Sequence, residues 1–401
     1  MNVTVLTTTY PRYPADPTGS FIVGQARDLA RQGHIVHVIA PHDPSAGSRH
    51  DESDGSLHVH RFHYWLPHRW ESLCYGAGIP ENFRRNRLVI FQLPTLIASF
   101  ATRALPFARQ ADIIHGHWSF AGIGALIAAR LARKKLVITM HGAEALAPQL
   151  RAVNRFLIRQ SSALVVNSAF TRDTLRGYIP GIDPAIVPFG YNQEKLAPAG
   201  FDRAAFREAQ GIDAETTAIL AVGRLVERKG FHVLLDAAAR LPKDRRWRVI
   251  IGGKGPERDA LLARAESLGL ADQVTMLGFV PDDELARWHA AADIFALPAI
   301  VDSSGDTEGL GVVLLEAMAN GTPVVASRIG GITDIVRHEE TGLLAAPAAA
   351  ADLAAQIARL MSDNALRARL TQTARQFVAD NFSWRSINQK LLAVYQRAVQ
   401  I

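Results

Sequence analysis

The chain has 401 residues, 48% of them hydrophobic and 20% charged, with a formal net charge of +6. That length and composition supply two cores of ordinary size, and the single cysteine, Cys74, excludes an intrachain disulfide framework and fits a reducing compartment. Residues 1–200 carry a net charge of +8 and the remainder −2, so an anionic partner is expected of the first half; without zinc-ligand spacing, an RNP-type aromatic motif or a long basic run, that partner is not expected to be nucleic acid.

The first strand-like run, 3–7, has neither a basic n-region nor an apolar h-region around it, and no signal peptide is expected there. Further runs at 35–39, 113–115, 136–140 and 163–166 alternate with helical stretches at 21–31 and 121–133. These strands are continuously apolar, as a parallel sheet covered on both faces requires. The apolar stretch 88–102 is interrupted by Gln92 and Pro94 and reads as too short to span a bilayer. Pro, Gly and polar residues cluster at 188–200, and a second series of strands follows at 218–222, 248–251, 274–277, 294–297 and 323–327. In the helix expected at 257–268, Leu261, Ala265 and Leu268 fall on one face. The Ala-rich tract 345–351 reads as a loop leading into a helix. The fold class is therefore α/β, with two doubly wound domains whose strand ends would carry the ligand.

Candidate functional residues sit just after apolar strands. In the loop from Tyr10, Pro11, Arg12, Tyr13 and Pro14 to Ser20, Gly19 stands at a helix entrance and either receives a phosphate oxygen or makes a plain turn. His115 and His117 share a strand face, but without a third ligand at a recognisable spacing no metal is expected. His141 is followed by Gly142 at a strand end, placing an imidazole where the backbone allows tight approach, although a lone histidine is also often structural. Arg224 and Lys229, in the segment after 218–222, can converge on a diphosphate, Arg by its planar fork and Lys as a point charge. The turn containing Gly253 and Lys254 allows close approach of a nucleotide, yet no G-x-G-x-x-G fingerprint follows either first strand, which disfavours a nicotinamide or flavin enzyme. In EGLGVVLLE, Glu308 and Glu316 are joined by what reads as two turns of helix, about 12 Å along the axis. Gly309 and Gly311 let backbone N–H groups approach an anion at that helix start, and the carboxylates would address neutral sugar hydroxyls. An ordinary amphipathic helix with a solvated glutamate at each end has the same spacing.

The strings VGRLVERKG, GGKGPER, LGFVPDDEL and EGLGVVLLEAMANGTPVVAS, with MHG and NSAFTRD in the first half, resemble the retaining glycosyltransferases of family 4, in order over nearly the whole chain. The loop before Gly19 departs from that family's commoner paired-glycine form. The resemblance implies a GT-B fold: two Rossmann-like domains facing a central cleft, an acceptor domain over 1–195, a donor domain over 196–378, and a helix over 379–401 returning to the first. It implies that Arg224 and Lys229 hold the donor diphosphate, with Gly19 as a further phosphate contact, and that Glu316 holds the ribose hydroxyls. Glu308, Gly309, Leu310 and Gly311 would hold the transferred sugar, with His141 close to it, while Gly253, Lys254 and Val280 surround the nucleobase. The catalytic set is then His141, Glu308, Arg224 and Lys229. Such enzymes retain anomeric configuration through an oxocarbenium-like ion pair, the leaving diphosphate helping to deprotonate the acceptor. With no Asp-x-Asp signature, neither metal nor cofactor is expected.

The expected activity is transfer of a hexose from a nucleoside diphosphate sugar, a UDP-sugar ahead of GDP-mannose, to a glycan or lipid-linked acceptor in cell-surface polysaccharide or glycolipid synthesis. A GT-B nucleotide-sugar epimerase and a non-enzymatic nucleotide-sugar binding protein are the alternatives. A cytoplasmic location is expected. The run Arg84, Arg85, Asn86, Arg87, Leu88, Val89, Ile90, Phe91 suggests peripheral contact with an anionic membrane surface on the inner face of the cell membrane.

Overall fold

Alternation of apolar strands with amphipathic helices yields two α/β units, Met1–Phe189 together with Trp384–Ile401, and Gly190–Ser383. The computed structural model describes the chain apart from residues 14, 15, 17, 48–50, 77, 193, 194 and 401, and only the backbone at 80 and 81. Pro14 and Pro17 of the loop ahead of Gly19 lie outside the described residues.

The first unit runs β1 (Asn2–Leu6), α1 (Ser20–Arg31), β2 (Ile35–Pro41), β3 (Asp51–Asp54), β4 (Leu57–Phe62), α2 (Ile79–Arg85), α3 (Leu93–Gln110), β5 (Ile113–His117) and α4 (Ser119–Ala132). It continues through β6 (Lys135–Met140), α5 (Gly142–Leu146), α6 (Arg151–Gln160), β7 (Ala163–Val166), α7 (Ala169–Arg176) and β8 (Ala185–Ile186). The eight strands are ordered β3-β4-β2-β1-β5-β6-β7-β8, all parallel except β3 against β4. Both faces are covered, so neighbours in sequence enter different cores: Val5, Val137 and Val165 pack on one side, Leu6, Ile138 and Val166 on the other.

The apolar stretch 88–102 is neither interrupted nor short. A 3-10 turn over Arg87–Gln92 runs into α3, so Arg87–Gln110 is continuously helical for 24 residues, long and apolar enough by length and composition to cross a membrane. Pro94 does not interrupt it, because it occupies the first turn, where its missing N–H has no intrahelical partner to lose. The side chain of Gln92 turns back to bond Trp70 O and Ser72 N. Leu96, Phe100, Ala101, Ala104 and Ala108 of α3 are buried in the core of the unit.

The second unit runs α8 (Arg203–Ala209), β9 (Thr217–Val222), α9 (Phe231–Ala238), β10 (Trp247–Gly252), α10 (Arg258–Ser267), β11 (Val274–Gly278), α11 (Asp282–Ala291) and β12 (Ile294–Leu297). It closes with α12 (Val312–Ala319), β13 (Val324–Ser327), α13 (Ile332–Ile335), β14 (Leu343–Ala345), α14 (Ala350–Ser362) and α15 (Asn364–Phe382). All six strands are parallel in the order β11-β10-β9-β12-β13-β14. The order reverses beside β9: β10 and β11 build outward on one side, β12 to β14 on the other. Loops leaving β9 and β12 therefore diverge at a switch point, where open α/β sheets hold ligands.

The last helix, α16 (Trp384–Gln400), belongs to the first unit. Its buried residues Ile387, Leu391, Val394 and Tyr395 join the core under Val3, Val5 and Val36. Asn388 donates to Gln25 O (3.0 Å) and Asp28 Oδ2 (2.8 Å) of α1. Gly24 of α1 lets the Trp384 ring approach, since a Cβ there would lie 2.3 Å from the indole.

Candidate donor site

The second unit gathers most of the predicted residues at the C-terminal ends of its parallel strands. β9 runs into Gly223, Arg224 and, through a 3-10 turn, Lys229. Lys229 lies across Gly223, where a Cβ would come 3.2 Å from its Cε, and its ammonium is ion-paired with Glu308 Oε2. The other oxygen of Glu308 accepts the N–H of Gly311 at 3.2 Å. Burial alone would raise the Glu308 carboxyl, but the charge and hydrogen bond of Lys229 outweigh it and hold the group below the usual range. Arg224 is exposed and has no ion-pair partner among the described residues. Arg228, one place before Lys229, is taken up by Asp306 at 2.5 Å.

The helix expected to join Glu308 to Glu316 is shorter than the spacing suggests. α12 begins only at Val312, and Gly311 at its N-cap has φ 84°, a left-handed conformation that ends any helix on its N-terminal side. Glu308 thus belongs to the loop and Glu316 to the second helical turn, so the 12 Å axial estimate does not apply. Gly309 and Leu310 lie in that loop, and the Val312 and Val313 N–H groups donate to no partner among the described residues, leaving free donors at the helix start. Glu316 is buried and paired with Lys195 Nζ at 3.0 Å, which also reaches Asp282 Oδ1 at 3.3 Å. Burial pushes the Glu316 carboxyl up against the pull of Lys195; the Lys195 ammonium, which burial disfavours, is held above its ordinary range by Glu316 and Asp282.

Glycines fix the close crossings between these loops. At Gly253 (φ 140°) a Cβ would sit 1.8 Å from Gly223 O, and at Gly331 it would sit 2.0 Å from Gly309 O. Gly331 N–H donates to Glu308 O at 3.0 Å, so the turn after β13 holds the Glu308 loop in place. Val280 packs beside β10, its Cγ2 3.2 Å from where a Gly252 Cβ would be, and Lys254 Nζ stands 5.6 Å over the Phe279 ring. Gly253, Lys254 and Val280 are thereby brought together. A groove of about 920 Å³ lined by Arg203, Asp293, Pro323 and Arg375 lies instead at the opposite, N-terminal ends of β12 and β13, away from every predicted residue.

The first unit presents its own set. Gly19 (φ 72°) caps α1, and a Cβ there would meet Thr9 O at 2.6 Å, so the close packing of the helix entrance on the loop that follows β1 requires glycine. His141 follows β6 and is buried, its Nε2 3.4 Å from His117 Nδ1 and its ring against Trp118, Phe21 and Phe189. Its Nδ1 has no partner among the described residues. Glu144 anchors the turn, accepting from His141 N (2.9 Å), Ser119 N (2.6 Å) and Ser119 Oγ (2.7 Å). Burial raises that carboxyl to about 7 despite these bonds. Burial also depresses His141 well below the usual imidazole range, the nearby His117 adding to the shift, so the ring is neutral at pH 7. His115 is not a metal ligand, because Tyr395 Oη and Thr139 Oγ1 take both its nitrogens at 2.6 Å.

Sequence reasoning missed Lys195, Asp282, Glu144 and the Gly330-Gly331 turn. The paired glycines after a strand were a readable signal; Lys195, in an aperiodic linker, gave none.

Two family models match the chain, glycosyl transferases group 1 over residues 202–377 and a glycosyl transferase 4-like domain over residues 18–190. It is 32% identical over 409 residues to D-inositol 3-phosphate glycosyltransferase of Corynebacterium diphtheriae, covering 95% of this chain and 90% of that one. It is 32% identical over 271 residues to the GDP-mannose-dependent alpha-(1-6)-phosphatidylinositol monomannoside mannosyltransferase of Mycobacterium tuberculosis, covering 66% and 70%. With an uncharacterized glycosyltransferase of Methanocaldococcus jannaschii the match is 33% over 196 residues, about half the length of each. Among solved structures, sucrose-phosphate synthase from Thermosynechococcus elongatus superposes with TM-score 0.77 at 23% identity, over 98% of both chains. HepE of Anabaena in complex with UDP gives 0.76 at 22%, over 99% of this chain and all of that one. With two α/β units on this pattern and a near full-length relative at this identity, the chain belongs to the GT-B glycosyltransferases, of the group 1 and 4-like type.

Proposed function

We propose that the protein transfers a hexose from a nucleoside diphosphate sugar to a glycan or lipid-linked acceptor, with retention of anomeric configuration and without a metal. The observation that carries this reading is the pairing of Lys229 with Glu308 at the start of α12, beside backbone donors and the unpaired Arg224. Two cations and a helix N-terminus can stabilise the charge that develops on a departing diphosphate, the task a metal would otherwise perform. Glu308, kept ionised, is suited to accept hydrogen bonds from sugar hydroxyls. Gly253, Lys254 and Val280 would receive the nucleobase, Glu316 the ribose, and the neutral His141 would meet the transferred sugar. UDP is the nucleotide in the HepE complex, whereas the mycobacterial relative is GDP-mannose-dependent; we favour a UDP-sugar donor.

Donor turnover tests the reading. Incubation with a UDP-sugar and with GDP-mannose, each with and without EDTA, should release the free nucleoside diphosphate from one of them at a rate the chelator leaves nearly unchanged. Loss of turnover with EDTA and its rescue by magnesium or manganese would overturn metal independence. A new sugar nucleotide without release would make the protein an epimerase, and tight binding without turnover a binding protein.

A further inference from the structure

The first unit exposes its large apolar side chains unevenly. Of the twelve that stand out among its described residues, six lie between residues 66 and 91: Leu66, Trp70, Phe83, Leu88, Ile90 and Phe91. Leu66 is 76% exposed, Leu88 69%, Phe91 65% and Trp70 58%. Burying them would be favourable by the ordinary area rule, so leaving them in water is a cost the fold does not relieve.

These residues are held close together. Gln92 bonds Trp70 O at 2.7 Å and Ser72 N at 3.3 Å, stitching the Trp70 turn to the end of the 3-10 segment that carries Leu88, Ile90 and Phe91. Asn82 of α2 donates to Leu73 O and Tyr75 O, fastening the helix that carries Phe83 to the same segment. Arg69, Arg84, Arg85 and Arg87 are exposed among them. The acids of this stretch are Glu81 and Glu71, and the Glu71 side chain is 1% exposed and turned inward onto Tyr64 N and Trp65 N.

We infer that this surface docks the protein on an anionic lipid bilayer, Trp70, Leu88 and Phe91 entering the headgroup boundary while the arginines meet lipid phosphates. Aromatic and aliphatic tips among arginines have the composition of an interfacial anchor, and the single sign of the exposed arginines selects a negative surface. The inference deepens the reading above and rests on it for the use of the surface, which is to bring the acceptor side of the enzyme to lipid-linked substrate.

Flotation of the full chain with phosphatidylglycerol-containing and with pure phosphatidylcholine vesicles, at low and high salt, tests it. Wild type should float with the anionic vesicles, more at low salt. Replacing Arg84, Arg85 and Arg87 together with Gln should weaken that binding about a hundredfold. Trp70→Ser, Leu88→Ser and Phe91→Ser combined should also abolish flotation. Failure of wild type to float with either vesicle would overturn the inference, as would unchanged flotation of the combined variants. Self-association of wild type that the Ser variant loses, without flotation, would assign the patch to a second copy of the chain instead. Nucleotide binding in solution is measured on every variant: retained binding shows the fold is intact, and its absence from wild type would sink the transferase reading separately.

Discussion

Lys229 and Glu308 each bear on two things at once. Their side chains are mostly shielded from water, so removing one partner leaves the other charge in a poorly solvated site. Lys229→Ala should therefore lower transfer by more than tenfold, at roughly 2 to 4 kcal/mol of transition-state stabilisation, and also destabilise the second unit. The stability loss should shrink when Glu308→Gln is added, and a double-mutant cycle by chemical denaturation reads that coupling. Additive losses would mean the two side chains do not pair in solution. A second contrast separates the two glutamates. On the donor placement proposed above, Glu308→Gln should mainly depress turnover, because charge would develop on the sugar it holds, whereas Glu316→Ala should mainly weaken nucleotide binding, because a ribose contact would be alike in ground and transition states. Lys195→Met should follow Glu316→Ala, since Lys195 holds that carboxylate in place. Titration of UDP and GDP beside steady-state transfer decides the matter, and a reversed pattern would turn the donor end for end along the Glu308 to Glu316 segment. Arg224, Lys229, Gly253 and Lys254 could be singled out because they stand in segments that leave apolar strands, and Glu308 and Glu316 because of their spacing around a glycine-rich start. What was not legible was pairing: nothing in the spacing says that Lys229 meets Glu308, or that Glu316 meets a lysine from the linker.

At the scale of elements, most of the long parallel strands were readable from their apolar runs; β4, with His58, His60 and Arg61 among its apolar residues, and the short strands were not. β3 is wholly polar and outermost in its sheet, β8 is two residues long and β14 three, and none of these carries a period that local sequence can show. α3 was misjudged for a different reason, since Pro94 falls in the first turn, where a proline has no intrahelical bond to lose, and the sequence alone does not say where that turn begins; even Pro106, inside the helix, does not end it. The terminal α16 was legible through Ile387, Leu391 and Tyr395, but its seat depends on contacts far away in sequence. Gly24→Ala should push against the Trp384 ring and cost about 1 to 3 kcal/mol of the stability of the first unit. Tyr395→Phe should cost a similar amount, about 1 to 3 kcal/mol, by leaving His115 Nδ1 buried without its partner. Both are measured by denaturant titration with a probe in the first unit. Wild-type midpoints for both variants would show that α16 is not docked as described.

Over the whole molecule, buried histidines give folding a pH dependence whose sign follows from their environment. Burial depresses His117 and His289 to about 3, and His115 and His141 well below the usual value. Below about pH 6.5 the unfolded chain binds protons that these folded rings refuse, so stability is full above that pH and falls as the pH drops towards 3, by about 1.4 kcal/mol per pH unit for each ring. Glu144 opposes the trend: raised to about 7, it stabilises the fold below the ordinary carboxylate range and loses that contribution as the pH rises through 7. With His34, His37 and His60 also depressed by burial, and Asp16 and Asp51 held low, the first unit is acid-labile on balance against the one raised Glu144, while in the second unit the raised Glu316 opposes His289. Calorimetry of the full chain between pH 7.5 and 5 should therefore show the transition of the first unit moving down further than that of the second. His289 sharpens the test, because both of its ring nitrogens are buried without partners among the described residues. His289→Leu should remove that desolvation cost, raise the melting temperature of the second unit, and lessen its loss of stability on acidification, leaving the raised Glu316 set against carboxyls held low, Glu308 among them. A second unit whose melting still falls on acidification to the wild-type extent would show that His289 is not the group that titrates.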